Sequence, residues 1–173
     1  PTEGALHAAA GKIGLVRSRL DARFARLAEI PFSSERKRMS TAHADRMGAV
    51  SHVLFVKGAP DLLLELCEHE RTGREERTLD AARQGAIAAR IEALAADGLR
   101  TLGVSDRRLP EFGARMLEPT LEQSLVWLGV IGMADPPRPE AAPAVAAAQR
   151  AGVQVVMITG DHPRTAAVIA REL

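Results

Sequence analysis

Two apolar runs in the C-terminal third stop abruptly at a carboxylate. One passes from Leu128 through Met133 to Asp135-Pro136-Pro137-Arg138, and the other from Val153 through Ile158 to Thr159-Gly160-Asp161. Short apolar runs bounded by turn residues predict buried strands. An Ala-rich helical stretch separates them and an amphipathic one follows the second. Strand–helix–strand–helix in that order predicts parallel strands joined by a right-handed crossover. Parallel strands would bring Asp135 and the Thr159-Gly160-Asp161 turn out at one carboxyl edge, where open α/β sheets bind ligands. Such a unit is too small for a domain, because it leaves apolar faces and a sheet edge uncovered. Packing back on the preceding residues, disorder, and pairing with a second copy of the chain all remain open.

Upstream the pattern is different. Residues 2–10 read as a helix, with Thr2 at its N-cap and Glu3 in its first turn. Residues 20–30 fit a helix or a bent strand equally. Residues 38–43 and 52–56 predict strands joined by a loop around 45–48. Pro60 suits the first position of a helix reaching about Glu68, and the charged stretch 71–76 reads as a loop. Thr78 or Asp80 caps a long helix over 81–96 that Gly98 ends. Residues 99–105 predict a strand and 109–120 an irregular connection. With a boundary near 121–127, residues 1–124 form an α+β unit of mostly antiparallel strands. Residues 125–173 form a partial α/β unit, and the chain is α/β overall.

Composition narrows the function classes. The 173 residues allow one or two small domains with a sizeable core. The 23 Lys and Arg against 22 Asp and Glu leave a net charge of +1, which gives no reason to expect nucleic acid or a membrane surface as partner. The apolar runs fall far short of the ~20 residues of a membrane helix. Cys67, the single cysteine, excludes an internal disulfide and favours a reducing compartment. Pro1 opens on a helix start and Leu173 falls inside an amphipathic helix, so the chain reads as a piece of a longer protein.

Several segments carry candidate chemistry. In Thr159-Gly160-Asp161 the strand ends, Gly160 allows a tight turn, and Asp161 can cap a helix that has Pro163 in its first turn. The helix N-terminus then favours an anion, and the Thr159 hydroxyl can donate to a phosphoryl oxygen. Taken alone, such a turn is more often a capped turn without a ligand. Asp135 is a carboxylate on a turn stiffened by two prolines. Phe32 stands beside the polar, basic run Ser33-Ser34-Glu35-Arg36-Lys37-Arg38 and can stack on a base while nearby cations favour a polyphosphate. A core Phe beside a solvated turn is the plainer alternative. Lys57-Gly58 supplies a point charge and a close backbone approach where a strand meets a helix, and Arg100 could face the same cleft. Phosphate-binding G-x-x-x-x-G-K-[ST] and dinucleotide G-x-G-x-x-G signatures are both absent, and the five His and Cys67 have no zinc spacing.

Six collinear stretches together resemble the cytoplasmic part of P-type cation-transporting ATPases of the type II, calcium-pump-like branch. They are Pro1-Thr-Glu-Gly-Ala-Leu6, Pro31-Phe-Ser-Ser-Glu-Arg-Lys-Arg-Met-Ser40, Phe55-Val-Lys-Gly-Ala-Pro60, Gly98-Leu-Arg100, Gly132-Met-Ala-Asp-Pro-Pro-Arg138 and Met157-Ile-Thr-Gly-Asp161. The resemblance implies a nucleotide-binding domain over 1–124 and part of a haloacid-dehalogenase-like phosphorylation domain over 125–173. It implies that adenine stacks on Phe32, that Glu3 sits beside the adenine, and that Lys57 and Gly58 line the pocket. Arg100 would contact the phosphates, and Asp135, Thr159 and Asp161 would surround the phosphoryl group and its Mg2+. Animal calcium pumps carry an arginine where this chain has Ser34, and Arg36 is the expected substitute. The nucleophilic aspartate of an Asp-Lys-Thr-Gly-Thr motif is not in this sequence. The implied parent is an integral membrane enzyme that couples ATP hydrolysis, through an aspartyl phosphate, to cation transport, with calcium the favoured ion. This segment would lie on its cytoplasmic side, with the transmembrane helices, the actuator domain and the rest of the phosphorylation domain as partners. By itself the fragment would be soluble and inactive, yet bind ATP. The alternative is a non-catalytic interaction or structural domain with a vestigial pocket.

Overall fold

Residues 24–58 fold as three consecutive antiparallel strands. The computed structural model describes the chain except residues 1, 111, 113–116, 135–136 and 160–162, and except the side chains of 163–165. Two helices, α1 (Thr2–Lys12) and α2 (Arg17–Arg23), precede β1 (Phe24–Ser33), β2 (Arg38–Asp45) and β3 (His52–Gly58). Then come α3 (Pro60–Glu65), β4 (Cys67–Thr72), β5 (Glu75–Thr78), α4 (Ala81–Ala96), β6 (Arg100–Leu109) and β7 (Leu125–Met133). The chain continues through α5 (Ala141–Arg150) and α6 (Pro163–Glu172). The described strands form one mixed sheet in the order β1-β2-β3-β6-β7-β4-β5. Only the β4–β7 pairing is parallel among them; the others are antiparallel.

The ambiguous stretch 20–30 divides between the end of α2 and a bent β1, whose register shifts between Arg26 and Ala28 and again between Ile30 and Ser33. Pro31 is tolerated there because β1 is an edge strand and its missing N–H breaks no ladder bond. The helix expected to reach Glu68 stops at Glu65. The residues beyond it, including the charged stretch read as a loop, form the β4–β5 hairpin around Gly73 at φ 65°. Tertiary pairing decides this: Cys67 lies opposite Leu125, and the Leu125 N–H donates to the Leu66 carbonyl at 3.0 Å. The charges then make sense as guards of an exposed edge strand, since every residue of β5 is exposed. Asp80, not Thr78, caps α4, its carboxylate accepting from the Arg83 N–H at 2.7 Å. Gly98, at φ 79°, ends the helix as expected.

The core lies between one face of the sheet and helices α3 and α4. Leu54 and Val56 of β3 and Leu125 and Trp127 of β7 meet Leu63 and Leu64 of α3 and Ile87 and Ile91 of α4, all buried. Alternation along β3 puts Leu54 and Val56 on this face and Phe55 on the other, where its ring meets Phe24 edge-on at 5.5 Å.

The expected parallel strand pair is not formed. Residues 153–159 belong to no strand, and β7 pairs with β6 and β4. Both edges of β7 are therefore filled, so no parallel neighbour from residues 153–159 can join it. Their apolar side chains stay open to solvent, Val156 being 71% and Ile158 94% exposed. For the same reason the sheet runs across the boundary expected near 121–127: β7 is an interior strand of the sheet that β1 begins.

Candidate functional site

Strand directions collect the candidate residues at one end of the sheet. β1, β3 and β7 run toward that end, while β2 and β6 start from it. The register places Ser33 opposite Arg38, Arg38 opposite Gly58, Gly58 opposite Gly103 and Arg100 opposite Met133. Phe32, the turn between β1 and β2, Lys57-Gly58 and Arg100 thus share one rim. Met133, the last described strand residue before Asp135, reaches the same rim.

Phe32 is 63% exposed. An aromatic ring left in water on an otherwise ordered strand forgoes its burial free energy, as a base-stacking platform must before its ligand arrives. Lys57 points its ammonium to the Glu3 carboxylate, with which it forms an ion pair. That contact ties α1, which buries none of its own residues, to the sheet rim. Gly58 is buried, and the Lys37–Arg38 backbone passes so close that a Cβ there would lie 2.5 Å from the Lys37 carbonyl oxygen. The Ala59 N–H donates to that same carbonyl at 2.9 Å, fastening the β1–β2 turn to the end of β3. Lys37 itself has φ 51°, in the left-handed region. Arg100 is exposed at the head of β6, and Thr159 is exposed in the segment without a strand. Asp135 and Asp161 lie outside the described residues.

Arg36, expected to face the ligand in place of an arginine at position 34, is engaged elsewhere. Its Nη1 donates to both oxygens of Glu122 at 2.6 and 2.8 Å, and its Nη2 donates to the Pro31 carbonyl at 2.7 Å. Glu122 also accepts from Arg38 Nε at 2.7 Å and from the Ser40 hydroxyl, and its side chain is completely buried. Burial pushes the Glu122 carboxyl up; hydrogen bonds from Ser40, Arg36 and Arg38 together outweigh it and leave the group below the usual carboxylate range. Arg107 steadies the segment by donating to the carbonyls on either side, those of Leu121 and Gln123. Sequence reading misses Glu122 because its partners lie more than 80 residues upstream.

A second buried carboxylate, Asp45, accepts from Arg23 at 3.0 and 3.2 Å, from Arg108 at 2.9 Å and from the Met47 N–H at 3.2 Å. The Arg23 hydrogen bonds pull its pKa down, burial opposes them, and Arg108 and the Met47 N–H add to the fall, leaving it far below the ordinary value. This cluster sits at the opposite end of β2 from the rim and holds strands together. Among the described residues no group of three His, Cys, Asp or Glu is arranged to hold a metal, and no helix is long and apolar enough to cross a membrane.

Comparison with known proteins matches the family model "P-type ATPase, cytoplasmic domain N" over residues 1–140. Its end falls beyond β7, in keeping with the position of that strand inside the sheet. The cation-transporting ATPase pma1 of Synechocystis is 38% identical over 173 residues, all of this chain and 18% of the relative. A probable cation-transporting ATPase F of Mycobacterium tuberculosis is 40% identical over 174 residues, again all of this chain and 19% of the relative. The calcium-transporting ATPase of Bacillus subtilis is 35% identical over 175 residues, with 19% of the relative covered. The chain spans less than a fifth of the length of these relatives. With more than half of its residues matched by the family model and its whole length aligned to these relatives, this chain belongs to the P-type cation-transporting ATPase family, its residues 1–140 matching the cytoplasmic domain N.

Proposed function

We propose that this chain holds ATP at the sheet rim and presents the terminal phosphate to an aspartate elsewhere in a longer P-type ATPase. The observation that carries the proposal is the convergence of exposed Phe32, Lys57-Gly58 and Arg100 on one rim, although they are far apart in sequence. Phe32 stacks on the adenine, and Lys57 and Arg100 offset the charge of the phosphates. The Lys57–Glu3 ion pair suits a pocket at rest: on binding, Lys57 exchanges Glu3 for a phosphate oxygen and Glu3 turns to the adenine amino group. Arg36 shapes the pocket wall and leaves the phosphates to the other two cations.

In the full reaction the bond from the γ-phosphorus to the bridging oxygen of ATP breaks, ADP leaves, and the aspartate becomes an acyl phosphate. Thr159, Asp161 and Asp135 would support that transfer from the phosphorylation-domain side. Mg2+ would neutralise phosphate charge in the complete site. Residues after about 140 begin that second unit, and we assign the exposed apolar segment 153–158 to an interface with the rest of it, in preference to pairing between copies. The longer protein would use the acyl phosphate to drive cation transport across a membrane, with this segment on the cytoplasmic side. The likeness to the calcium-transporting ATPase of Bacillus subtilis supports calcium as the ion. The sequence has no Asp-Lys-Thr-Gly-Thr, so the chain by itself should bind ATP without accepting its phosphate.

A calorimetric ATP titration of the chain and its Phe32→Ala variant tests this. Stacking contributes roughly 1–3 kcal/mol per base, so affinity should fall about 5- to 150-fold. Equal affinity for the two proteins would refute the assignment of Phe32, and acid-stable label from γ-labelled ATP would refute the claim of no transfer.

A further inference from the structure

We propose that Glu122 is a positioning residue for the nucleotide base, acting on Phe32 through Arg36; the proposal rests on the nucleotide reading of the rim. Phe32 is largely exposed, and hydrogen bonds hold the backbone on either side of it. On one side, the Pro31 carbonyl accepts from Arg36 Nη2 at 2.7 Å. On the other, the Ser33 carbonyl accepts from the Lys37 N–H at 2.7 Å and the Ser33 hydroxyl accepts from the Arg36 N–H at 3.1 Å. Both anchors therefore run through the Arg36 residue or its immediate neighbour. The direction of the Arg36 guanidinium is in turn fixed by the two oxygens of Glu122, whose side chain is wholly buried while that of Arg36 is 20% exposed.

The geometry makes this a rigid link. Nη1 of Arg36 rests on the two Glu122 oxygens and Nη2 on the Pro31 carbonyl, so the planar guanidinium spans both partners and a shift at Glu122 is passed to Pro31. Glu122 also accepts from Arg38 Nε and the Ser40 hydroxyl, both on β2, so the same carboxylate locks the two strands that meet at the turn. Arg107 holds the carbonyls flanking Glu122. The path from the interior of the sheet to the stacking ring is thus Arg107, Glu122, Arg36, Pro31 carbonyl, Phe32. An ion pair serving only stability needs none of the last two steps.

Fluorine NMR on the 173-residue chain with 4-fluorophenylalanine at its four Phe positions tests the link without a ligand. The Phe32 signal is assigned by Phe32→Leu. In Glu122→Gln and in Arg36→Lys that signal should shift or split, while those of Phe24, Phe55 and Phe112 hold and Trp127 emission stays native. ATP affinity read from the Phe32 signal should weaken about tenfold, equivalent to about 1.4 kcal/mol. Arg36→Lys keeps the charge but loses the fork, and it decides the matter if Glu122→Gln fails to fold. A Phe32 signal unmoved in a folded variant, or all four signals moving together, would overturn the proposal. A wild-type Phe32 signal that ignores ATP would instead sink the nucleotide reading, and the ligand-free spectra would still decide the link between Glu122 and Phe32.

Discussion

Replacing Gly58 by alanine would place a Cβ 2.5 Å from the Lys37 carbonyl oxygen, 2.5 Å from Arg38 Cβ and 2.8 Å from Arg38 Cα. Non-bonded carbon atoms prefer about 3.5–4.0 Å, so roughly 1 Å must be found. Two of the three atoms are backbone and cannot swing away. Separating the strands would stretch the hydrogen bond from the Ala59 N–H to the Lys37 carbonyl, now 2.9 Å, which contributes about 1 kcal/mol. Overpacking of this kind costs roughly 1–3 kcal/mol, and the two effects together amount to about 3 kcal/mol. For a chain of this size each kcal/mol moves the melting temperature by about 2–4 °C, so Gly58→Ala should melt about 6–12 °C lower. Gly85→Ala is the control. Gly85 lies within α4 with no atom within 4 Å of a built Cβ, so the same change there should stabilise by about 0.5–1 kcal/mol. Trp127, 4% exposed, reports unfolding in both. A Gly58→Ala chain that melts at or above the wild-type temperature would refute the close approach of the β1–β2 turn to β3, and with it the geometry of the rim.

Acid should destabilise the chain through its two buried carboxylates. Both Asp45 and Glu122 have folded-state values below the ordinary range, so the stability they confer is present above about pH 4 and lost as pH falls through the folded values. Melting followed from pH 7 to pH 2 should show that loss, and Asp45→Asn should flatten the profile; a variant with an unchanged slope would exclude Asp45 as a cause. Cys67 is 3% exposed and burial pushes its thiol up to about 12, with Ser105 partly opposing. It should resist iodoacetamide at pH 8 in the native chain and react rapidly in urea, and quick native labelling would show that β4 opens locally.

Much of the rim is legible in the sequence because each of its parts is local. Lys57-Gly58 followed by Pro60 announces a strand that turns into a helix, and the Asp80 cap and Gly98 stop bracket α4 within their own few residues. The Phe32 segment stands out because an aromatic beside six polar or charged residues is unusual in a chain with four Phe. What could not be read depends on distant partners. A run such as 125–133 has the same apolar content whether its neighbour is a later strand or two earlier ones, and only the sheet shows that β6 and β4 occupy its edges. The hairpin of β4 and β5 looks like a loop because most of its residues are charged, and β4 takes its place in the sheet from Leu125 and Trp127, more than 50 residues away. Glu122 is one acidic residue among 22 until Arg36, Arg38 and Ser40 close around it.

The late arrival of β7 has a consequence for biogenesis. It is the last strand among the described residues, yet it fills an interior slot between β6 and β4. A ribosome that has released residues only as far as 124 has made a four-stranded piece and a detached hairpin, with the seats of Leu125 and Trp127 empty between them. The sheet closes in one late step over a long chain separation, which is slow because the loop must be ordered before the contacts reward it. Until then the facing edges of β6 and β4 are unpaired templates for other chains. The vulnerable period in the life of this domain is therefore its synthesis, and it ends when β7 clears the exit tunnel.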